Sequence, residues 1–147
     1  MVANKRFLVV VSTAIFVAGF FLGSALQLSD VVQATSSGRV FELRTYTTPE
    51  GKLDDLQARF RDHTMQIFET HGMTNIAYWV PQDAPLSENT LVYVIAHENR
   101  EAAAANWDDF RADPEWQRVS RETQRDGRIV SKVKSEFMTA TDYSPIK

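Results

Sequence analysis

The stretch VFELRTYTTPEGKLDDLQARF, residues 40–60, changes its periodicity halfway along, and this change decides the fold. Its first part places Phe41 and Leu43 on one side and Glu42 and Arg44 on the other, which predicts a strand over Val40–Thr47. Thr-Pro-Glu-Gly at 48–51 interrupts the strand. The spacing that follows predicts an amphipathic helix that ends at Gly72 and buries Leu53, Leu56, Phe60, Thr64, Ile67 and His71.

The rest of the chain supplies three more strands and a second helical layer. MTNIAYWV at 73–80 and TLVYVIAH at 90–97 are rich in β-forming residues and flank a hairpin loop. Asn99 can cap a helix over 100–112, and Asp113 followed by Pro114 predicts a new helix that runs towards 126–127. Alternation returns over 129–139. The order β-α-β-β-α-β predicts an α+β, ferredoxin-like fold, with an antiparallel sheet and helices on one face.

The orientation of the sheet is predicted from the apolar side of the first strand. If Phe41 and Leu43 pack against the helices, Glu42 and Arg44 point away from them. The face without helices would then be an aromatic patch, made of Tyr46, Tyr78 or Trp79, Tyr93, and Phe137 or Met138. Such a patch is too large to stay wet on a monomer, so a homodimer is expected, with a cavity between sheet and helices or between sheets.

The first 34 residues differ in kind from the rest. Lys5 and Arg6 precede a run from Phe7 to Leu28 without a charged residue, which predicts a targeting segment over 1–34. It is either a signal peptide cleaved after Ala34 or a membrane anchor, and the positive-inside rule places the domain outside the cytoplasm in both cases. The domain is then exported, periplasmic or extracellular, or anchored. A linker at 35–38, a domain at 39–140 and a tail at 141–147 follow.

Composition excludes several classes of function. The chain has no cysteine, which excludes disulfides and thiolate chemistry. Without residues 1–34 it carries 14 basic and 18 acidic residues, a balance that argues against binding nucleic acid through a basic surface. The three histidines lack the spacing of metal ligands, and no phosphate loop or nucleophile elbow is present. Neither a metal nor a cofactor is predicted.

Two motifs carry a family resemblance. VFELRTYTTPEGKLDDLQARF together with NWDDFRADPEWQRV, residues 106–119, resembles the NIPSNAP family, and the likeness covers about residues 39–137. The resemblance implies a dimeric α+β barrel, the fold shared with cofactor-independent monooxygenases, muconolactone-isomerase-like proteins and haem-degrading or haem-containing relatives. It supplies no catalytic residue, because the bacterial members are mostly without assigned activity, and fold kinship alone does not establish chemistry.

The candidate cavity residues come from the strand faces and the histidines. Arg44 could fix an anionic or phenolic ligand with Tyr46 as a donor, or it could form a structural pair with Glu42 to a neighbouring strand or protomer. His71 is interpreted as a residue that bonds carbonyls at the helix C-terminus. The full candidate set is Arg44, Tyr46, His63, Tyr78, Trp79, Tyr93 and His97.

Two functions of different classes are consistent with this set. The first is a homodimeric module that binds a small apolar or aromatic ligand, or a partner protein. The second is an enzyme of the cofactor-independent monooxygenase or isomerase type that acts on a small aromatic or carbonyl compound. An enzyme needs a base within reach of the cavity, so His63 or His97 facing it would favour the second. A cavity with only arginine and tyrosines would favour the first.

Overall fold

The structure, a computed structural model, describes residues 38–147. The predicted targeting segment at 1–34 and most of the linker lie outside the described residues, so cleavage, anchoring and export stay predictions. Within 38–147, no helix combines the length and the apolar character that crossing a membrane requires.

The observed elements follow the predicted order. The strands are β1 (Val40–Thr47), β2 (Thr74–Trp79), β3 (Thr90–His97) and β4 (Lys132–Thr139). The helices are α1 (Leu53–Arg59), α2 (Met65–Thr70), α3 (Arg100–Ala112) and α4 (Pro114–Glu122), with a π-helical turn at Phe60–Thr64 and a 3₁₀ turn at Leu86–Glu88. The strands form one antiparallel sheet in the order β2-β3-β1-β4, and the helices pack on one face. The predicted fold class is confirmed.

The predicted helix boundaries are set by capping side chains. The Asn99 side chain accepts a hydrogen bond from the Ala102 amide at 2.7 Å and starts α3. Asp113 accepts from the Glu115 and Trp116 amides at 2.6 and 3.0 Å and starts α4 one residue later. These bonds satisfy backbone donors that have no partner inside the helix, so local sequence alone could predict them.

Gly51 connects β1 to α1 with a φ of 71°, the left-handed conformation that disfavours residues with a Cβ. A Cβ added there would meet nothing within 4 Å, so the cost of a substitution is backbone strain alone. We therefore expect Gly51→Val to destabilise the domain by about 1 kcal/mol or more, measured by urea unfolding. Gly38→Val is the control, because Gly38 has open space and no left-handed φ. An unchanged midpoint for Gly51→Val would contradict the prediction.

The first helical segment contains a π turn that the apolar spacing does not predict. The Met65 amide bonds to the Phe60 carbonyl, five residues back, and the Thr64 hydroxyl donates to the Arg59 carbonyl at 3.2 Å. The wider turn rotates the helix that follows, so that Phe68 is buried together with Ile67. Arg59, the residue directly before the turn, is buried.

The predicted orientation of the sheet is wrong. Trp107 of α3 donates to the Glu42 carboxylate, and the Tyr46 ring packs edge-on against Phe60, so the side of β1 that carries Glu42, Arg44 and Tyr46 faces the helices. The polar side of β1 can be buried because its groups are hydrogen-bonded. Burying a polar group is costly mainly when it lacks a hydrogen-bond partner, and apolar patterning does not take such partners into account.

The strand register shows which residues of the other strands face the helices. Tyr78, Tyr93 and Phe137 share the helix-facing side with Arg44 and Glu42. The opposite side, which we call the helix-free face, is apolar at its centre and carries Trp79 and Met138 as exposed side chains. Among its residues are Phe41, Leu43, Thr45, Ala77, Trp79, Val92, Val94, Ala96, Lys134, Glu136 and Met138.

Candidate functional site

A buried carboxylate joins three strands and a helix under the helical layer. Glu42 is 1% exposed, and its Oε1 accepts from Arg44 Nη1 and from Ser135 Oγ, each at 2.5 Å. Its Oε2 accepts from Trp107 Nε1 at 2.7 Å and contacts His97 Nε2 at 3.2 Å. All four donors come from the same chain as Glu42, so both carboxylate oxygens are saturated without a ligand.

The donors around Glu42 fix its charge. Burial by itself would raise the pKa of Glu42, but the hydrogen bonds from His97, Ser135 and Trp107 and the charge of Arg44 outweigh burial and lower the pKa to about 2. The carboxylate is therefore ionised and paired throughout the neutral range.

Arg44 belongs to this network. Its guanidinium is bonded to Glu42 and lies 4.1 Å from the centre of the Trp107 ring, and its Nη2 donates to the Tyr46 hydroxyl at 3.3 Å. Because its charge is already matched by a carboxylate on the same strand, the geometry favours the structural interpretation of Arg44 over the ligand-binding one.

The histidines lie apart from any open cavity. His97 is buried, and Asn106 Nδ2 lies 3.2 Å from its Nδ1, which leaves Nε2 as the nitrogen that donates to Glu42. His63 borders two outer grooves. His71, which the sequence predicts to bond helix carbonyls, instead contacts Asp113 Oδ2 through its Nε2 at 2.6 Å. This contact links the end of α2 to the start of α4.

A cavity of about 210 Å³ lies between the β1–β4 side of the sheet and the helices. Five of its eleven lining residues are aromatic, and the rings of Phe110 and Trp116 are in contact, with their centres 4.4 Å apart. Its lining residues are Tyr46, Arg59, Phe60, Thr64, Phe68, Phe110, Trp116, Ser120, Gln124, Val130 and Val133.

Arg59 is the charged side chain in this lining. It is 5% exposed, its Nε has no hydrogen-bond partner, and its guanidinium forms no salt bridge with any residue from 38 to 147. The guanidinium lies 5.1 Å from the centre of the Trp116 ring. Burial lowers the pKa of Arg59, and the neighbouring Tyr46 and Tyr93 oppose this shift only in part.

The structure separates the predicted site residues into three groups. Tyr46 lines the cavity. Arg44, Tyr78, Tyr93 and His97 lie on the helix-facing side of the sheet. The Tyr93 hydroxyl is buried without a hydrogen-bond partner among the described residues, and this burial raises the pKa of Tyr93. His63 lies on the outer side of the first helical segment, and Trp79 lies on the helix-free face, 53% exposed.

Arg59 is not among the predicted site residues, and the apolar spacing gives no signal for it. At about 100° per residue it lies roughly 60° outside the arc that contains Leu56 and Phe60. Only the packing of the helices on the sheet buries it in the cavity lining.

The part of the chain from 38 to 147 holds no group of three or more histidine, aspartate or glutamate side chains placed to bind a metal ion.

The comparisons agree on one family. Residues 41–145 match the NIPSNAP family. A NIPSNAP family protein of unknown function, Atu4242 from Agrobacterium tumefaciens, has 20% identity and a TM-score of 0.65 over 76% of this chain and 96% of its own. A NIPSNAP-like domain protein from Burkholderia xenovorans has 20% identity and a TM-score of 0.64 over 74% and 90%. No curated protein is significantly similar to this chain.

A cofactor-independent oxygenase, SnoaB from Streptomyces nogalater, is more distant, with 13% identity and a TM-score of 0.47 over 74% of this chain and 98% of its own. That likeness carries no argument about activity. At 20% identity, the closer structures show the fold alone. The family match covers the described domain from its first strand into its tail, so the chain belongs to the NIPSNAP family.

Proposed function

We propose that this NIPSNAP domain is a binding module that holds a small aromatic or apolar molecule between its sheet and its helices. The observation that carries the proposal is the cavity of about 210 Å³ with its wall of aromatic rings. Pockets lined mainly by apolar and aromatic side chains, with a few polar groups, are typical of small-molecule sites.

The volume of the cavity restricts the size of the ligand. An apolar cavity of about 150 Å³ can hold one benzene ring. A cavity of about 210 Å³ therefore has room for a single ring with a small substituent. The rings of Phe60 and Phe110 offer faces and edges to such a ligand, an arrangement that favours aromatic contacts.

The enzyme alternative, a monooxygenase or isomerase, has less support. No histidine lines the cavity, because His97 is held in the Glu42 network and His63 lies in the outer grooves. The lining therefore offers neither a histidine nor a carboxylate as a general base within reach of a bound substrate. The lining consists of aromatic and aliphatic side chains, hydroxyl and amide groups, and one arginine, which favours binding over catalysis.

Filling the cavity tests the proposal. Ser120 lines it from α4, and we expect Ser120→Phe to occupy the space and to abolish binding of benzyl alcohol. Binding is followed by the NMR shifts of the Val130 and Val133 methyl groups, which line the same cavity. Gln117→Phe, at an exposed position of the same helix, should bind like the wild type. A wild type whose valine methyls respond to no aromatic probe would contradict the binding function.

We also propose that the domain is a homodimer that pairs through its helix-free face. The centre of this face is apolar, with Leu43 opposite Val94, and the large side chains Trp79 and Met138 are 53% and 38% exposed. Lys134 and Glu136 form an ion pair at the β4 edge of the face and supply a polar rim. A second copy offers the same surface, as a two-fold interface requires.

A further inference from the structure

We propose that the ligand of the cavity is a monoanionic single-ring compound whose carboxylate or phenolate is bound by Arg59. The inference rests on the proposed binding function and narrows it to one chemical class. It assigns to Arg59 the anion-binding role that the sequence suggested for Arg44. Arg44 has a carboxylate partner, whereas Arg59 has none among the described residues.

Arg59 is a buried charge with no counter-ion among the described residues. A buried guanidinium without a counter-ion is unfavourable, and buried arginines are normally paired. Arg44 shows the ordinary solution in this same protein, because Glu42 lies 2.5 Å from it. The Nε atoms of both arginines are buried without an acceptor, but Arg59, only 5% exposed, also has no described carboxylate bonded to its guanidinium.

The described groups around the Arg59 guanidinium do not replace a counter-ion. The Arg59 guanidinium lies 5.1 Å from the centre of the Trp116 ring, and Tyr46 lines the same cavity with its ring and hydroxyl group. The acidic residues of the adjoining groove, Asp55, Asp62, Glu122 and Asp126, form no salt bridge with Arg59. An anion that enters the cavity would supply the missing acceptor and could bind the guanidinium through two parallel hydrogen bonds.

The charge of Arg59 lies at the wall of the same cavity as the aromatic rings. Arg59 directly precedes the π turn, and π turns occur often at functional sites. The Thr64 hydroxyl bonds to the Arg59 carbonyl and fixes its backbone at this turn. The cavity thus has one cationic wall and aromatic walls from Phe60, Phe110 and Trp116, which fits a ring that carries one negative group.

The test compares three ring compounds that differ in charge: benzoate, benzyl alcohol and benzylamine. We expect benzoate to bind at least about tenfold more tightly than benzyl alcohol, because hydrogen bonds between two charged groups are stronger than those to a neutral hydroxyl. Benzylamine should leave the Val130 and Val133 methyl signals unchanged. Equal affinities for benzoate and benzyl alcohol would overturn the inference while leaving the binding function intact. Failure of all three compounds would instead reject the binding function itself.

Substitution of Arg59 gives the second arm. Arg59→Met keeps an apolar side chain of similar length and should lower benzoate affinity about 10- to 100-fold without changing benzyl alcohol affinity. Because it removes a buried charge that has no counter-ion among residues 38–147, it should leave the melting temperature unchanged or raised, whereas a purely structural arginine would lower it. Arg61→Met, at an exposed position two residues later, is the matched control. A lowered melting temperature with unchanged benzoate affinity would overturn the inference.

Discussion

Replacing Glu42 by glutamine should destabilise the domain by about 3–5 kcal/mol, the range expected when one partner of a buried ion pair is removed. The change leaves Arg44 charged and without its carboxylate, and it places an amide NH₂ where Oε1 or Oε2 now accepts hydrogen bonds from four donors. Urea unfolding measures the free energy. Asp108→Asn, which breaks an exposed ion pair with Arg111 on α3, should cost no more than about 1 kcal/mol, as is usual for a surface ion pair. Similar losses for the two variants would show that the buried network contributes little.

The same carboxylate should make the stability of the wild type depend on pH. The pKa of Glu42 is about 2 in the folded protein against an ordinary value of 4.5, so its contribution is fully present above pH 4.5. It is lost as the pH falls from about 4.5 to about 2, because the unfolded state takes up the proton first. The shift corresponds to about 3 kcal/mol. Glu42→Gln should lack this part of the acid dependence, and an equally steep loss in the variant would assign it to other groups.

Replacing Val94 by aspartate should turn the proposed dimer into a monomer. Val94 lies on the central strand β3, opposite Leu43 on one side and Ala77 on the other. Two-fold symmetry would bury two carboxylates without partners, at a cost of several kcal/mol, and each 1.4 kcal/mol weakens association tenfold. We therefore expect the dissociation constant to rise more than about 100-fold, measured by native mass spectrometry and sedimentation.

Leu86→Asp serves as the control for the dimer, because Leu86 is an apolar side chain 54% exposed in the 3₁₀ turn, outside the sheet. It should leave the mass unchanged. Circular dichroism of Val94→Asp establishes that the monomer is still folded. A wild type that is monomeric at micromolar concentration, or a Val94→Asp protein that stays dimeric, would contradict the proposed interface.

The elements themselves could be predicted because their causes are local. The alternation in β1 and β3, the Asn99 and Asp113 caps and the φ of 71° at Gly72 each depend on residues a few positions apart. At Gly72, the Met73 amide bonds to the Phe68 carbonyl and the Gly72 amide to the Glu69 carbonyl, at 3.0 and 3.2 Å, which completes the predicted helix end. The order of these elements then restricts the topology to a ferredoxin-like sheet.

The candidate site could not be predicted in the same way. A period of two shows which residues share a face of a strand, but it does not show which face the helices cover. Here the polar face is covered, because Glu42 finds donors as distant in sequence as Trp107 and Ser135, 65 and 93 residues away. The sequence by itself determined the elements, their caps and their order, since these follow from neighbouring residues. Only the tertiary structure decided that the Glu42–Arg44 pair lies under the helices and that Arg59 is buried without a carboxylate partner among the described residues, because the packing of distant segments decides which groups are buried together.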